Sequence, residues 1–383
     1  MRILHITGYT VERGGTSKVV FDNVSYQLLQ GNTVDIITVD FPGEKTYPLP
    51  EGAGLIKVGY SPLNKYVSDY SPGFYAYLKA NRDLYDIIHI HGIWHWGSIV
   101  PFLVSGKFRV IISIHGMLSR WALSQGGIKK KIFGEVFQKR FLRKSDAVIV
   151  LTEAEKEELL EYIPLKESKV HVIPNGIEKI EVPSVQQKKD LLDKLGLKSD
   201  SVNILFLSRI HKKKGLDLLL KAFARLSAEI PEAKLLIAGP DEGYKHTAEE
   251  MIDALNIRDR ILFLGSVSGK EKETVFSIAG VFVLSSYSEG LPMSVLEAMS
   301  LRIPVVVSDQ TRIDTFIRQY NAGKVTGLNE NEVYEAIKDI LENPDETREY
   351  IENAGKLVET EFGPDMVNKR IIRLYEDSLS KPE

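Results

Sequence analysis

Apolar, mostly β-branched runs that end in Gly, Asn, Ser or His recur along the chain: "RILHIT", "VDIITV", "IIHIHG", "VIISIHG", "AVIVLT" and "VHVIPNG". After a gap a second series follows: "VNILFLSR", "AKLLIAGP", "RILFLGSV", "VFVLSS" and "IPVVVSD". They are apolar throughout rather than alternating, the pattern of parallel strands buried on both faces. Helical periodicity lies between several of them. "TSKVVFDNVSYQLLQG" sets Val19, Val20, Val24 and Leu28 on one stripe and stops at Gly31, and "LDLLLKAFARLSAEI" repeats Leu216, Leu219, Leu220, Phe223 and Leu226 at helical spacing. Between the series, "EKIEVPSVQQKKDLLDKLGLKSDS" is polar, lacks a strand signal and reads as a linker. The alternation predicts two doubly wound α/β domains, residues 1–177 and 178–363, facing each other with the carboxyl ends of both sheets on one cleft. The amphipathic segment 364–383 is expected to pack back on the first domain.

Composition narrows the chemistry. With 383 residues the chain exceeds one typical core, and 43% hydrophobic against 26% charged residues is ordinary for a globular protein. A net charge of -3, from 49 basic and 52 acidic residues, gives no overall attraction for nucleic acid, so any polyanion site is local. There is no cysteine, which removes disulfides and thiolate metal sites and is compatible with a reducing compartment. "MRILHIT" is too short for a signal peptide, and no run approaches ~20 apolar residues. The expectation is a cytoplasmic protein, at most peripheral at the inner face of the cell membrane.

The loop after the first strand, "TGYTVERGGTSKVV", fits neither the dinucleotide fingerprint nor the P-loop. What remains is Gly14 and Gly15 just ahead of a helix, either a place where backbone N–H groups approach an anion or a tight strand-to-helix turn. "RIHKKKG" places Arg209 at a strand end and Lys214 at a helix start, where guanidinium, ammonium and helix dipole together suit a diphosphate. No Asp-x-Asp pair occurs, so the common carboxylate clamp for a nucleotide-bound Mg²⁺ is missing and no metal or other cofactor is expected. "SYSEGLPMSVLEAMS" carries Glu289 and Glu297 with no basic residue between them. Pro292 suits a first helical position, which puts Glu289 in the preceding loop and Glu297 in the early turns.

In order along the chain stand Gly14-Gly15, "HG" at His115 and Gly116, "IPNGIE" from 173 to 178, "SR" followed by Lys214-Gly215, and "EGLPMSVLEAMS". With these motifs the chain resembles the retaining glycosyltransferases of family 4, whose fold is GT-B: two Rossmann-like domains facing a central cleft. The resemblance implies that Arg209 and Lys214 bind the donor diphosphate, with the Gly15 loop closing on it. It implies further that His115 contacts the donor sugar near the reacting carbon. Glu289 would lie by that sugar beside the N–H groups of Gly290 and Leu291, Glu297 at the ribose hydroxyls, and the base near Ser266 and Val267. One departure is visible, Glu178 where the family usually has Asp.

The resemblance therefore implies a metal-independent, retaining transfer of a hexose from a nucleotide-diphosphate sugar. "HGMLSRWAL" is similar to bacterial exopolysaccharide and lipopolysaccharide enzymes, which points to a glycan or lipid-linked acceptor, with UDP-glucose as the donor. A sugar-nucleotide epimerase of the same fold and a non-catalytic sugar-nucleotide binding module share this frame. For the acceptor, Trp94, His95 and Trp96 form one candidate platform and Tyr66 and Tyr70 another; simple packing is the alternative for each. His89, His91 and His95 offer zinc-ligand chemistry, without a recognised spacing. The basic stretch 128–144, with Ile132, Phe133, Val136, Phe137 and Phe141 on an expected buried stripe, is either a solvated face or a dock for anionic lipid.

Overall fold

The structure is a computed structural model that describes residues 1–8, 15–46, 48–118, 123, 133–178 and 180–381. The chain divides into two compact units, one of Met1–Gly176 with Phe362–Glu383 and one of Ile177–Glu361.

The first unit holds a seven-stranded parallel sheet of β1 (Arg2–Ile6), β2 (Thr33–Asp40), β3 (Gly54–Gly59), β4 (Ile87–His91), β5 (Arg109–Ser113), β6 (Ala147–Val150) and β7 (Val170–Val172), in the order 3-2-1-4-5-6-7. The order reverses between β1 and β4, which pair with Ile3 opposite Ile87 and His5 opposite His89. One face of the sheet carries Leu4, Ile6, Ile88, Ile90 and Ile112 into a large apolar cluster. The other carries Ile3, Ile87 and Ile111, covered by Val20 and Val24 of helix Gly15–Leu29 and by Val367, Ile371, Leu374 and Tyr375 of helix Pro364–Ser380. The C-terminal helix thus supplies core side chains to the first unit.

The second unit repeats the scheme with six parallel strands: β8 (Asn203–Leu207), β9 (Lys234–Ala238), β10 (Ile261–Gly265), β11 (Val281–Leu284), β12 (Val305–Ser308) and β13 (Lys324–Thr326), in the order 10-9-8-11-12-13. Its reversal lies between β8 and β11. Helix Leu216–Glu229 buries Leu216, Leu219, Leu220, Phe223 and Leu226 completely. Each such side chain contributes roughly 1.5–3 kcal/mol by leaving water, which is why this stripe was so readable.

Three local expectations need correction. The stretch read as a linker contains helix Val185–Leu195, closed by a capping box of Ser184 and Gln187 and by Gly196 at φ 66°. None of its residues is buried, so its polar composition hid it. Pro292 is the N-cap of helix Met293–Ser300 rather than its first residue, which leaves Glu289 in the loop and Glu297 in the second turn. In the basic stretch, residues 128–132 lie outside the described residues, and the rest is not the expected stripe. Gly134–Gln138 forms a π-helical turn before helix Lys139–Lys144. The wider turn shifts the helical phase: Phe141 and Gln138 are buried, whereas Val136 and Phe137 face solvent at 54% and 42% exposure.

Candidate active site

In an open α/β sheet the loops at the carboxyl ends of the strands diverge where the strand order reverses, and ligands bind there. In the second unit those loops follow β8 and β11. The first runs through a 3₁₀ turn, Lys212–Lys214, to Gly215; the second is Ser285–Pro292. They are docked together by hydrogen bonds to the backbone of the first loop. Tyr287 N–H donates to the Lys213 carbonyl at 2.8 Å, and Ser285 Oγ donates to the Gly215 carbonyl at 2.7 Å. Gly215 has φ 65°, and a Cβ there would lie 1.9 Å from the Ser285 carbonyl oxygen, so only glycine permits this approach.

The docking brings Lys214 onto Glu289. Nζ is 2.5 Å from Oε1, and both side chains are about 10% exposed. Ser286 Oγ donates to the same oxygen at 2.8 Å, and Glu289 N–H donates to the Gln310 carbonyl at 3.0 Å. Oε2 takes part in no hydrogen bond among the described residues. Nor do the N–H groups of Gly290 and Leu291, immediately ahead of helix Met293–Ser300. A carboxylate oxygen, an ammonium with spare donors and two backbone donors therefore stand within one short loop pair. That combination can hold hydroxyls and an anionic oxygen at once.

The other residues expected at this site lie at neighbouring strand ends. Arg209 follows β8 and makes an exposed ion pair with Glu242, its Nη1 donating to both carboxylate oxygens at 2.8 and 2.7 Å. Glu297 is half-buried, with Oε1 at 2.5 Å from Lys272 Nζ. Ser266 and Val267 directly follow β10, Ser266 exposed and Val267 half-buried. The two glutamates that looked uncompensated each have a lysine. Lys272, Glu242 and Ser286, and the pairing of Lys214 with Glu289, are what sequence reading missed.

In the first unit the equivalent reversal lies between β1 and β4, and a histidine cluster occupies it. His5 from β1 and His89 and His91 from β4 are buried, and His115 follows β5 with φ 55°, left-handed backbone that is costly for a non-glycine residue. Glu155 fixes the turn after it, accepting from Gly116 N–H at 2.5 Å and from Leu151 N–H at 2.6 Å. His5 Nδ1 is 2.8 Å from His91 Nε2, and His91 Nδ1 is 3.1 Å from His115 Nε2. His89 bonds Tyr375 Oη at 2.5 Å and Ser113 Oγ at 2.8 Å. The histidine trio weighed from sequence for zinc-ligand chemistry is not the one that the fold brings together. His89 and His91 share a face as expected, but their third neighbour is His5, one strand over, whereas His95 lies 3.8 Å from Asp69.

Burial pushes His5 and His115 down to about 4 and holds His89 and His91 well below the usual histidine range. The unfolded chain binds these protons near pH 6.5 and the folded chain does not, so stability is complete above that pH and falls as the solution is acidified toward pH 4. The expected slope is about 1.4 kcal/mol per pH unit for each such histidine. Urea unfolding between pH 7 and pH 5, above most carboxylate titration, checks this; a flat profile there contradicts neutral burial of the cluster.

The acceptor candidates divide. Trp94 and Trp96 are partly buried against the first unit's core, with Nε1–H donating to the Met117 and Ser71 carbonyls at 3.3 and 3.0 Å. Tyr70 tilts onto Trp96 with ring centroids 5.0 Å apart, and Tyr66 is 66% exposed. Gly15 opens its helix, whereas Gly14 lies outside the described residues.

Comparison with known proteins agrees with this architecture. The profile for "Glycosyl transferases group 1" matches residues 187–358, and that for "Glycosyltransferase Family 4" matches residues 13–179. The chain is 28% identical to an uncharacterized glycosyltransferase, MJ1607, of Methanocaldococcus jannaschii, over 78% of this chain and 76% of that one. It is also 28% identical to the alpha-monoglucosyldiacylglycerol synthase of Streptococcus pneumoniae, over 61% of this chain and 54% of that one. Among solved structures, Anabaena Alr3699/HepE in complex with UDP-glucose superposes with a TM-score of 0.78 at 17% identity, covering 98% of this chain and all of that one.

Proposed function

The chain belongs to the group 1, family 4 glycosyltransferases, with two Rossmann-like units of the GT-B type, and from that premise we propose that it transfers glucose from UDP-glucose, with retention and without a metal, to a glycan or lipid-linked acceptor. The observation that carries this reading is the buried Lys214–Glu289 pair at the β8–β11 reversal, flanked by the N–H groups of Gly290 and Leu291, which have no hydrogen-bond partner among the described residues. Lys214 has one donor on Glu289 and others to give a diphosphate oxygen. Arg209 joins it by exchanging Glu242 for the diphosphate; an exposed ion pair is worth ~0–1 kcal/mol, so the exchange costs little. Glu289 Oε2 accepts from sugar hydroxyls. Glu297 and the Ser266–Val267 segment serve the ribose and the base, as the family resemblance implies. The complex of Alr3699/HepE with UDP-glucose and the lipid named in the streptococcal relative support the donor and acceptor classes.

Retention then follows from attack on the face the diphosphate leaves, with a diphosphate oxygen taking the acceptor's proton. Lys214, Arg209 and the loop N–H groups stabilise the negative charge that develops on the leaving group. Glu289 favours positive character at the anomeric carbon. Proton NMR of UDP-glucose turnover in chelator, with water or a glycolipid as acceptor, tests this. The first-formed sugar anomer is expected to be α; a β product, or loss of turnover in chelator, overturns the mechanism. Appearance of an epimerised UDP-sugar instead would favour the epimerase.

A further inference from the structure

The helical stretch ahead of β6 contains the π-helical turn Gly134–Gln138 before the regular helix Lys139–Lys144, and that irregularity decides which side chains meet solvent. In an unbroken α-helix Phe137 and Phe141, four apart, would share a face. Here Phe141 is buried and stacks on Phe102 with ring centroids 4.7 Å apart, while Phe137, 6.4 Å from Phe141, stays 42% exposed and Val136 54%. Leu103, next to Phe102 in the 3₁₀ turn Val100–Leu103, is 50% exposed. Three apolar side chains thus stand in solvent around one aromatic stack. Isolated exposed apolar residues need no explanation, whereas grouped ones mark a surface that something covers.

The charge beside them says what. Between Gly134 and Lys144 the only acid is Glu135, which accepts from Lys139 Nζ at 2.5 Å. Arg140, Arg143 and Lys144, at spacings of three and four, share a helix face and are exposed. Their side chains make no ion pair or hydrogen bond among the described residues. Unneutralised cations beside apolar side chains match the two layers of a membrane surface, phosphates outside and acyl chains beneath. A second copy of the chain fits worse, because a symmetric contact would set the same three cations against one another. Among the described residues no helix is long and apolar enough to cross a membrane, so contact through this surface is peripheral.

We infer that Val136, Phe137 and Leu103, with Arg140, Arg143 and Lys144, dock the first unit on an anionic lipid bilayer, the apolar side chains entering the acyl boundary and the cations holding the phosphate layer. The docking favours an acceptor held in that bilayer; this link alone rests on the proposed transferase reading.

Co-sedimentation with vesicles of phosphatidylglycerol or of phosphatidylcholine, without donor or acceptor, tests the surface. The unaltered protein is expected to bind phosphatidylglycerol at low salt, at least about tenfold more weakly at high salt, and phosphatidylcholine only weakly. Arg140→Gln/Arg143→Gln/Lys144→Gln should lower binding about 100-fold, and Val136→Ser/Phe137→Ser about tenfold. All five positions are exposed, so both variants should keep the urea midpoint and the rate of donor hydrolysis without vesicles. No binding of the unaltered protein to phosphatidylglycerol, equal binding to both lipids, or a triple variant that binds like the unaltered protein overturns the inference. So does a lipid-free dimer that becomes monomeric in Val136→Ser/Phe137→Ser, which makes a second copy the occupant. Vesicle binding in the expected pattern, with no donor turnover by any of the proteins, supports the docking and overturns the transferase reading instead.

Discussion

Glu289→Gln is expected to lower glucosyl transfer about 100- to 1,000-fold, with the protein still folded and no glycosyl adduct in its intact mass. The substitution keeps the shape and an oxygen that can accept from Lys214 Nζ and Ser286 Oγ, the two donors now on Oε1. What it removes is the charge. On the same-face mechanism that charge stabilises an oxocarbenium-like centre, an interaction strongest in the transition state, so kcat falls more than donor affinity. The competing mechanism makes Glu289 a nucleophile, as carboxylates are in retaining hydrolases. It demands a covalent intermediate, so a glycosyl group trapped on Glu289 would sink the same-face account.

Lys214→Met is expected to be damaging in two separable ways. Lys214 and Glu289 are each about 10% exposed, so removing the ammonium leaves a carboxylate desolvated and unpaired. Breaking a buried pair from one side costs roughly 3–5 kcal/mol, visible as a lowered urea midpoint. Transfer should fall about 1,000-fold as well, because the diphosphate loses its buried cation. The double variant Lys214→Met/Glu289→Gln separates the effects. With no charge left in the pocket it should recover most of the lost stability, and none of the activity. Recovery of both would make the pair a structural feature rather than a donor site.

How much of this was legible depends on sequence distance. Arg209, Lys214 and Glu289 could be found because each lies in a loop that follows a strand whose apolar run is unmistakable, and Glu297 because it stands in the helix after the β11 loop; the β8–β11 frame then places them. Their partners could not. Glu242 lies beyond β9 and Lys272 in the helix after β10, so neither pairing is visible without the strand order. His89 and His91 were legible as one face of β4, but His5 joins them only once β1 is known to be the neighbour of β4. Among the strands, β3 and β13 escaped notice because both are sheet edges, where half-exposed positions replace the continuous apolar run. The π-helical turn at Gly134–Gln138 defeated a stripe that assumed an unbroken period of 3.6.

The central claim is that Lys214, held by Glu289, is the cation of a donor-diphosphate site. Calorimetric titration of UDP and uridine into the unaltered protein and into Lys214→Met/Glu289→Gln, in chelator, measures it most directly. The account predicts that UDP binds the unaltered protein at least about tenfold more tightly than uridine, and that the variant loses this preference. A variant that still prefers UDP by the same factor would contradict it.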